Sequence, residues 1–372
     1  MPAYVTIIAG LLAVLLLFYR RPYLTDKDNT PVPESSGSAE PAPLHISVII
    51  PARNEETNLP NILTDLRNQE SPAYEIICVD DASTDKTAAI INEFGVKRIS
   101  VTDKPDGWVG KTWACQCGAD RATGNLLLFI DADVRLGPTA LRRLVRAYQQ
   151  NRCVISVQPF HRMQRLYEQA SFFFSLILLA ANGLGFPFLN RNIGLFGPVI
   201  LTSREEYDSI KGHYAVKNSI IDDLALGEAY KRKGIRFALY MGGRDISFRM
   251  YPGGFLELCQ GWIKNYASGA FRTPIYLMLL IILWFGGCIS VIIELIRYGV
   301  QGAWPSFGLY AGLYLAWVMA LWLISRRAGN FKLGAIFLYP LLMINFLMLF
   351  IISLFRKFFI RSVTWKGRKI KL

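Results

Sequence analysis

The chain has 372 residues, 52% hydrophobic and only 19% charged, with a net charge of +13. Ordinary soluble domains carry roughly 25% charged residues, so this balance, with a mean hydropathy of +0.28, excludes a simple soluble domain. A basic chain could also bind nucleic acid. No aromatic–basic motif supports that here, however, and many of the cations flank apolar segments, as they do beside anionic lipid on a cytoplasmic face.

Residues 4–19 are apolar and are followed at once by Arg20-Arg21. A cleaved signal peptide would carry its cations before the apolar stretch and a small-residue site after it. Residues 1–21 therefore read as an N-terminal transmembrane anchor with the following chain in the cytoplasm. Residues 22–44, rich in Pro, Ser, Asp and Glu, have linker composition.

From 45 to 272 strand-like and helix-like runs alternate. Residues 46–50 lead into Pro51-Ala-Arg53-Asn-Glu55, and a helical pattern covers 58–68. A second strand pattern, 74–79, ends in Asp80-Asp81, and Ser83-Thr84-Asp85 is placed to cap the next helix. The apolar run Leu126-Leu127-Leu128-Phe129 leads into Ile130-Asp131-Ala132-Asp133-Val134. The alternation predicts an α/β domain with a mainly parallel sheet. In such sheets ligands bind beyond the carboxyl ends of the strands. Two carboxylates there suit Mg²⁺ or Mn²⁺, ions that bind through one or two carboxylates plus substrate phosphates. Asp222-Asp223 opens a later helical segment as a third acidic station. Together the three point to chemistry on a nucleotide diphosphate, although an Asp-x-Asp alone is equally a capped strand–loop junction.

The six cysteines give no metal pattern: Cys115-Gln-Cys117 has no zinc spacing and no Cys/His set completes it. They read as buried, reduced thiols of a cytosolic compartment. Residues 171–189 are apolar and aromatic and long enough to span a bilayer. A span would separate Asp131 from Asp222, and Gly183, Gly185 and Pro187 interrupt the run, so an interfacial helix is expected. Three apolar segments, 275–296, 303–324 and 333–355, make a C-terminal transmembrane region over 273–355, followed by a basic tail, 356–372. Arg326-Arg327 and the tail both favour the cytoplasm, yet a full span would part them. Pro340 leaves a re-entrant or surface-lying hairpin open.

Pro51-Ala-Arg-Asn-Glu55, Val79-Asp-Asp-Ala-Ser-Thr-Asp85, Asp131-Ala-Asp133 and Asp222-Asp223 together resemble the family 2 glycosyltransferases of GT-A fold (Rossmann-like, mainly parallel sheet). Gly107-Trp-Val-Gly-Lys111-Thr-Trp-Ala-Cys115, Ser156-Val-Gln-Pro159, Phe196-Gly-Pro-Val199, Phe248-Arg-Met-Tyr251 and Trp365-Lys-Gly-Arg368 look like a subgroup that glycosylates carotenoid acids, with related enzymes acting on hopanoids and ceramide.

The resemblance implies a membrane-bound, inverting hexosyltransferase of the cell membrane, multi-pass, with its catalytic domain cytoplasmic. It implies a UDP-sugar donor, most simply UDP-glucose, and a membrane-dissolved carotenoid acid as acceptor, with Ser171 onward bordering the acceptor's way in. A hopanoid, sphingolipid, diacylglycerol or polyprenyl phosphate acceptor is the alternative. A non-catalytic membrane scaffold and a nucleotidyltransferase are more distant ones.

Residue by residue, Pro51, Arg53, Glu55, Asp80 and Asp81 would hold the uridine, or form a salt-bridged loop. Lys111 would meet the diphosphate, or be a solvated lysine at a helix start. Trp108 would line the pocket or pack in the core. Asp133 would ligate Mg²⁺ or Mn²⁺, with Asp131 on ribose or metal. His213 would assist at the diphosphate or be structural. Asp223, with Asp222, would act as general base, orient the sugar, or cap its helix; an acceptor that is itself a carboxylic acid is already ionised near neutral pH. Processive members carry Gln-x-x-Arg-Trp. Gln260-Gly-Trp262-Ile-Lys264-Asn265 departs from it, which favours a single transfer and leaves Arg249, Gln260, Trp262 and Lys264 as diphosphate or acceptor contacts or as basic residues at a membrane surface.

Overall fold

The structure, a computed structural model, describes residues 3–24, 43–188, 193–219, 221–270, 272–360, 362–365 and 368–371. Most of the expected linker, and the side chains of Asn265, Trp365 and Arg368, lie outside what is described. In chain order the elements begin with α1 (Ala3–Leu17), β1 (Ile46–Ala52), α2 (Leu59–Arg67), β2 (Glu75–Asp80), α3 (Thr87–Glu93) and β3 (Lys97–Ser100). There follow α4 (Gly110–Arg121), β4 (Leu126–Ile130), β5 (Val134–Leu136), α5 (Ala140–Asn151), β6 (Val154–Gln158), β7 (Phe160–His161) and α6 (Phe172–Ala181). Next come β8 (Val199–Ser203), α7 (Arg204–Ser209), α8 (Asp222–Arg232), β9 (Phe237–Met241), β10 (Ile246–Phe248) and α9 (Phe255–Ala270). Last are α10 (Ile275–Val300), α11 (Trp304–Ala328), α12 (Leu333–Phe337), α13 (Tyr339–Phe355), β11 (Ser362–Trp365) and β12 (Arg368–Lys371).

The chain divides into two compact units. One holds Tyr23–Phe160 and Gly194–Arg249; the other holds Met1–Pro22, His161–Ile193 and Met250–Leu372. The stretch expected as one domain over 45–272 is shared between the two units. Within 161–193 and 250–272, which group with the terminal helices, Phe172, Phe173, Phe174, Leu258 and Trp262 are buried.

The α/β unit is built on a seven-stranded sheet in the order β3-β2-β1-β4-β8-β6-β9. Strands β1, β2, β3 and β4 are parallel, as is the β6–β9 pair, while β8 runs antiparallel to both β4 and β6. β4 is five apolar residues, all buried, as a strand covered on both faces requires. The helix predicted over 58–68 is α2, flanked by Asn58 and Asn68.

At the edge away from the candidate site, Glu75 accepts from Ser47 Oγ (2.7 Å) and from the Thr123 N–H (2.6 Å) and Oγ1 (2.8 Å). Burial pushes its pKa up, but these donors and Lys97 outweigh that and hold it down at about 2. A carboxylate with a depressed pKa contributes stability that is complete above its unfolded value and is lost as pH falls through the folded one. Stability is therefore expected to fall between about pH 4.5 and 2, and Glu75→Gln is expected to flatten that limb. Melting temperature against pH for both proteins checks it.

In the helical unit, α10, α11 and residues 339–359 are each long and apolar enough to cross a membrane. The outer face of α10 leaves Ile275, Ile282, Ile293 and Ile296 exposed. α1 has 15 residues, about 22 Å of helix and short of the ~30 Å hydrocarbon core. It packs along α10 through two glycines. A Cβ at Gly10 would sit 2.8 Å from the Leu283 carbonyl and 2.9 Å from Gly287 Cα; one at Gly287 would sit 2.8 Å from the Trp317 ring. Such small-residue contacts let helix backbones approach closely. Gly287→Leu is expected to abolish the stable fold, whereas Gly312→Leu, where nothing lies within 4 Å, is expected to be neutral. Thermal unfolding in detergent distinguishes them.

The helix expected at the interface over 171–189 ends at Ala181. Phe172, Phe173, Phe174, Leu176 and Ala180 are fully buried, packed by α10, α11 and α13. It is a core helix of this unit rather than one lying with a face open, because its apolar residues leave no polar face to turn outward.

Candidate active site

Because β1, β2 and β4 are parallel, their carboxyl ends share one edge of the sheet. The antiparallel β8 begins there too, with Val199 paired to Ile130. All three acidic stations and Lys111 belong to this one unit.

Pro51 still lies in β1, paired with Val79. The loops after β1 and β2 then knit together. Asn54, in a left-handed conformation (φ 53°), accepts the Thr84 N–H at 2.8 Å while its own N–H donates to Ser83 Oγ at 3.1 Å. Arg53 donates to the Asp81 carbonyl at 2.7 Å and lies 4.0 Å from the Asp81 carboxylate. Asp80 is engaged by Arg98 at 3.2 Å and by the Ser83 N–H at 3.0 Å, and Glu55 accepts from Asn58 at 2.8 Å. The cap expected from residues 83–85 falls to Asp85 alone, which accepts the Thr87 N–H at 3.0 Å; the N-cap residue, Lys86, makes no side-chain cap.

Across the edge, α4 starts at Gly110 after an extended Val109, whose N–H donates to the Lys217 carbonyl at 2.8 Å. Trp108 is buried against Trp113 and Tyr214, which fixes this loop. Lys111 Nζ lies 2.6 Å from Asp131 Oδ1. Burial opposes its charge, but Asp131 and then Asp222 overcome that and raise its pKa, so Lys111 is a cation among carboxylates rather than a solvated one.

The Asp131 N–H donates to the Pro198 carbonyl at 2.9 Å. Asp223 Oδ2 accepts the Gly197 N–H at 2.9 Å, and Oδ1 accepts the Leu224 N–H at 2.8 Å. Burial and the adjacent Asp222 push the Asp223 carboxyl up to about 6, against the pull of those donors and Lys111. Residues 196–198 thus tie Asp131 and Asp223 together. They are held in turn by buried Ser156, whose Oγ donates to the Phe196 carbonyl at 3.0 Å and accepts its N–H at 2.7 Å. A Cβ on Gly197 would lie 3.1 Å from Asp223 Oδ2. Reasoning on acidic residues missed Ser156 and Gly197; the signal was the pair of motifs that carried the subgroup resemblance.

His213 is buried behind β4. Its Nδ1 is 2.8 Å from the Tyr207 hydroxyl, its own N–H donates to the same oxygen at 3.0 Å, and its ring packs edge-on to Phe129. Burial lowers its pKa to about 4, so it is neutral at physiological pH. Burial likewise raises Cys115 and takes Cys78 to about 12, as inert thiols require. Arg249 is half-buried at the end of this unit.

The remaining predicted contacts lie in the helical unit. On α9, Gln260 is exposed and Lys264 half-buried. Trp262 is buried, stacked on Phe174 at 4.7 Å, with its indole N–H donating to Ser171 at 3.2 Å. No group of three or more His, Cys, Asp or Glu among the described residues is arranged to hold a metal.

A mainly parallel sheet with a lysine and three acidic stations at one strand edge is the GT-A glycosyltransferase architecture. Among solved structures, the mannosyltransferase PcManGT from Pyrobaculum calidifontis, in complex with GDP-Man and Mn²⁺, aligns with a TM-score of 0.53 at 16% identity, covering 87% of this chain and 96% of that one. At that identity the likeness shows the fold.

The chain belongs to glycosyl transferase family 2 and is a hexosyltransferase. The family description matches residues 47–191, a stretch that stops short of Asp222-Asp223. The 4,4′-diaponeurosporenoate glycosyltransferase of Staphylococcus haemolyticus is 35% identical over 364 residues, 96% of this chain and 94% of the relative. Its namesake in Staphylococcus aureus is 34% identical over 334 residues, 88% of each chain.

Proposed function

We propose that this enzyme transfers glucose from UDP-glucose to the carboxylate of a C30 carotenoid acid, with inversion, giving a glycosyl ester. The observation that carries this reading is the 35% identity, sustained over 96% of the chain, to a relative named for 4,4′-diaponeurosporenoate. The apolar helices α10 and α11 support a multi-pass enzyme of the cell membrane that meets its acceptor within the bilayer, with the α/β unit in the cytoplasm.

In this reading Pro51, Arg53, Glu55, Asp80 and Asp81 form the uridine side. Arg53 and Asp81 are the groups facing the donor, while Asp80 braces the loop through Arg98. Lys111 neutralises diphosphate charge. Asp131 and Asp133 supply two hard oxygen ligands, a set too small to hold an ion alone but suited to Mg²⁺ or Mn²⁺, which takes the rest of its coordination from phosphates and water. Such an ion, once bound, offsets the charge that develops on the departing UDP. His213 fixes the back of the site through Tyr207, and Arg249, Gln260 and Lys264 are the acceptor or diphosphate contacts.

Asp223, held by two backbone N–H groups, orients the sugar when the acceptor arrives already ionised. A hydroxyl-bearing lipid acceptor is the second reading. The observation favouring it is that same carboxyl, whose pKa of about 6 suits a general base near neutral pH.

UDP release by the purified enzyme with UDP-glucose and Mn²⁺ tests the proposal. Stimulation by a C30 carotenoid carboxylic acid is the expected result. Release indifferent to that acid, but stimulated by a hydroxyl lipid, overturns the acceptor and keeps the reaction. Pyrophosphate in place of UDP overturns the reaction.

A further inference from the structure

We infer that residues 332–355 enter the bilayer, turn near its mid-plane, and leave by the face they entered, so that this segment is a re-entrant helical hairpin in one leaflet and not a crossing. The inference rests on the membrane reading of the helical unit. By length and composition alone residues 339–359 would pass for a span; the contacts at the two ends and at the middle say otherwise.

Both ends of the segment reach one short stretch of chain. At its start, the Lys332 N–H donates to Gln169 Oε1 at 2.9 Å, beside Asn330, whose side chain clamps the Met163 backbone with bonds of 2.6 and 2.9 Å. At its end, Ser353 Oγ donates to the Ile263 carbonyl at 2.6 Å. The neighbouring Trp262 donates to Ser171, two residues from Gln169. A single helix of this length would carry its ends ~35 Å apart.

The middle lies deep. Tyr339 is fully buried, stacked on Tyr314 at 5.1 Å, and its hydroxyl donates to the Cys288 carbonyl at 3.2 Å. Cys288 and Tyr314 lie near the middles of α10 and α11. From there α13 returns past Phe285, against which Phe346 packs at 5.6 Å.

The turn itself is built for hydrocarbon. A proline that breaks a helix leaves backbone carbonyls without their helical donors, and inside a bilayer each such group needs a protein partner. Here Pro340 interrupts the helix after Leu338, and the Tyr314 hydroxyl donates to the Phe337 carbonyl. Leu338 and Leu341 stay exposed at the tip, facing acyl chains.

The rest of the unit agrees on sides. α1 and α10 run antiparallel, since Thr6 lies by Gly287 and Gly10 by Leu283. Arg327 donates to the Phe18 carbonyl at 2.6 Å, bringing the end of α11 to the end of α1, where Arg20 and Arg21 follow. The hairpin adds Arg356 and Lys357 to that same basic face, while the α10–α11 connection at Gln301 lies on the other.

Single cysteines at Gln301, Arg326, Leu338 and Arg356, in the full chain carrying Cys117→Ser and Cys259→Ser, test this with a membrane-impermeant maleimide on sealed cells and on lysed ones. Retention in carbonate-washed membranes checks insertion separately from route. Gln301→Cys is expected to label from one side, Arg326→Cys and Arg356→Cys together from the other, and Leu338→Cys from neither. Labelling of Arg356→Cys from the Gln301 side shows a crossing and overturns the proposal, as does labelling of Leu338→Cys from that side. If Arg356→Cys fails to accumulate, Lys357→Cys answers the same question.

Discussion

Asp133→Ala is expected to lower acceptor-stimulated UDP release by roughly 10³-fold, about 4 kcal/mol of transition-state stabilisation. Asp133 follows the turn after β4 and is half-buried, two residues from an Asp131 already fixed through its N–H to Pro198. Removing it leaves one carboxylate, itself paired with Lys111, to hold the proposed ion with the diphosphate. The loss should fall on kcat, and raising Mn²⁺ should recover part of it. An unchanged melting temperature would separate this chemical loss from misfolding. Activity within tenfold of the parent, at saturating donor, would remove Asp133 from the metal site.

Lys111 and Asp222 give the second large effect, and they should move the pH profile in opposite directions. The Lys111 cation lowers the Asp223 pKa and the Asp222 anion raises it. Lys111→Met removes the attraction, so the acidic limb of kcat/KM is expected to shift upward from about 6; activity should also fall roughly 10²–10³-fold as diphosphate charge goes unmatched. Asp222→Asn removes the repulsion, so the limb is expected to shift downward. Rate profiles between pH 4.5 and 8.5 for the three proteins check this. Shifts of the same sign would show that Asp223 does not govern the limb.

Much of the site was legible because it uses charged residues at strand ends, where a buried apolar run announces the strand and the carboxylate announces its end. Asp80-Asp81 and Asp131 lie at the ends of β2 and β4, as that logic has it, and Asp222-Asp223 opens α8. Direction was not legible. The apolar run of β8 reads alike parallel or antiparallel, and only its pairing with Ile130 shows that it brings Gly197 and Pro198 to the site edge. Which carboxylate braces the loop was also hidden: Asp80 and Asp81 look equivalent in sequence, and the long-range partner Arg98 distinguishes them. The grouping of residues 172–181 with the terminal helices was hidden for a related reason. Phe172, Phe173 and Phe174 are as apolar as any sheet-covering helix, and what buries them comes from the other end of the chain.

That last point bears on how the protein is made. α1 is made before the α/β unit, and the helix that fits its Gly10 notch, α10, follows roughly 260 residues later, ~15–50 s at ordinary rates of synthesis. Throughout that interval the Gly10 face of this 15-residue apolar helix is without α10, although its end can already meet the backbone at Gly185, and the whole α/β unit is translated and can close around its own sheet. On the membrane reading of the helical unit, the α/β unit is expected to be complete before α1 and α10 have met. A truncated nascent chain ending before residue 275 should be far more dependent on the membrane insertion machinery than the finished enzyme.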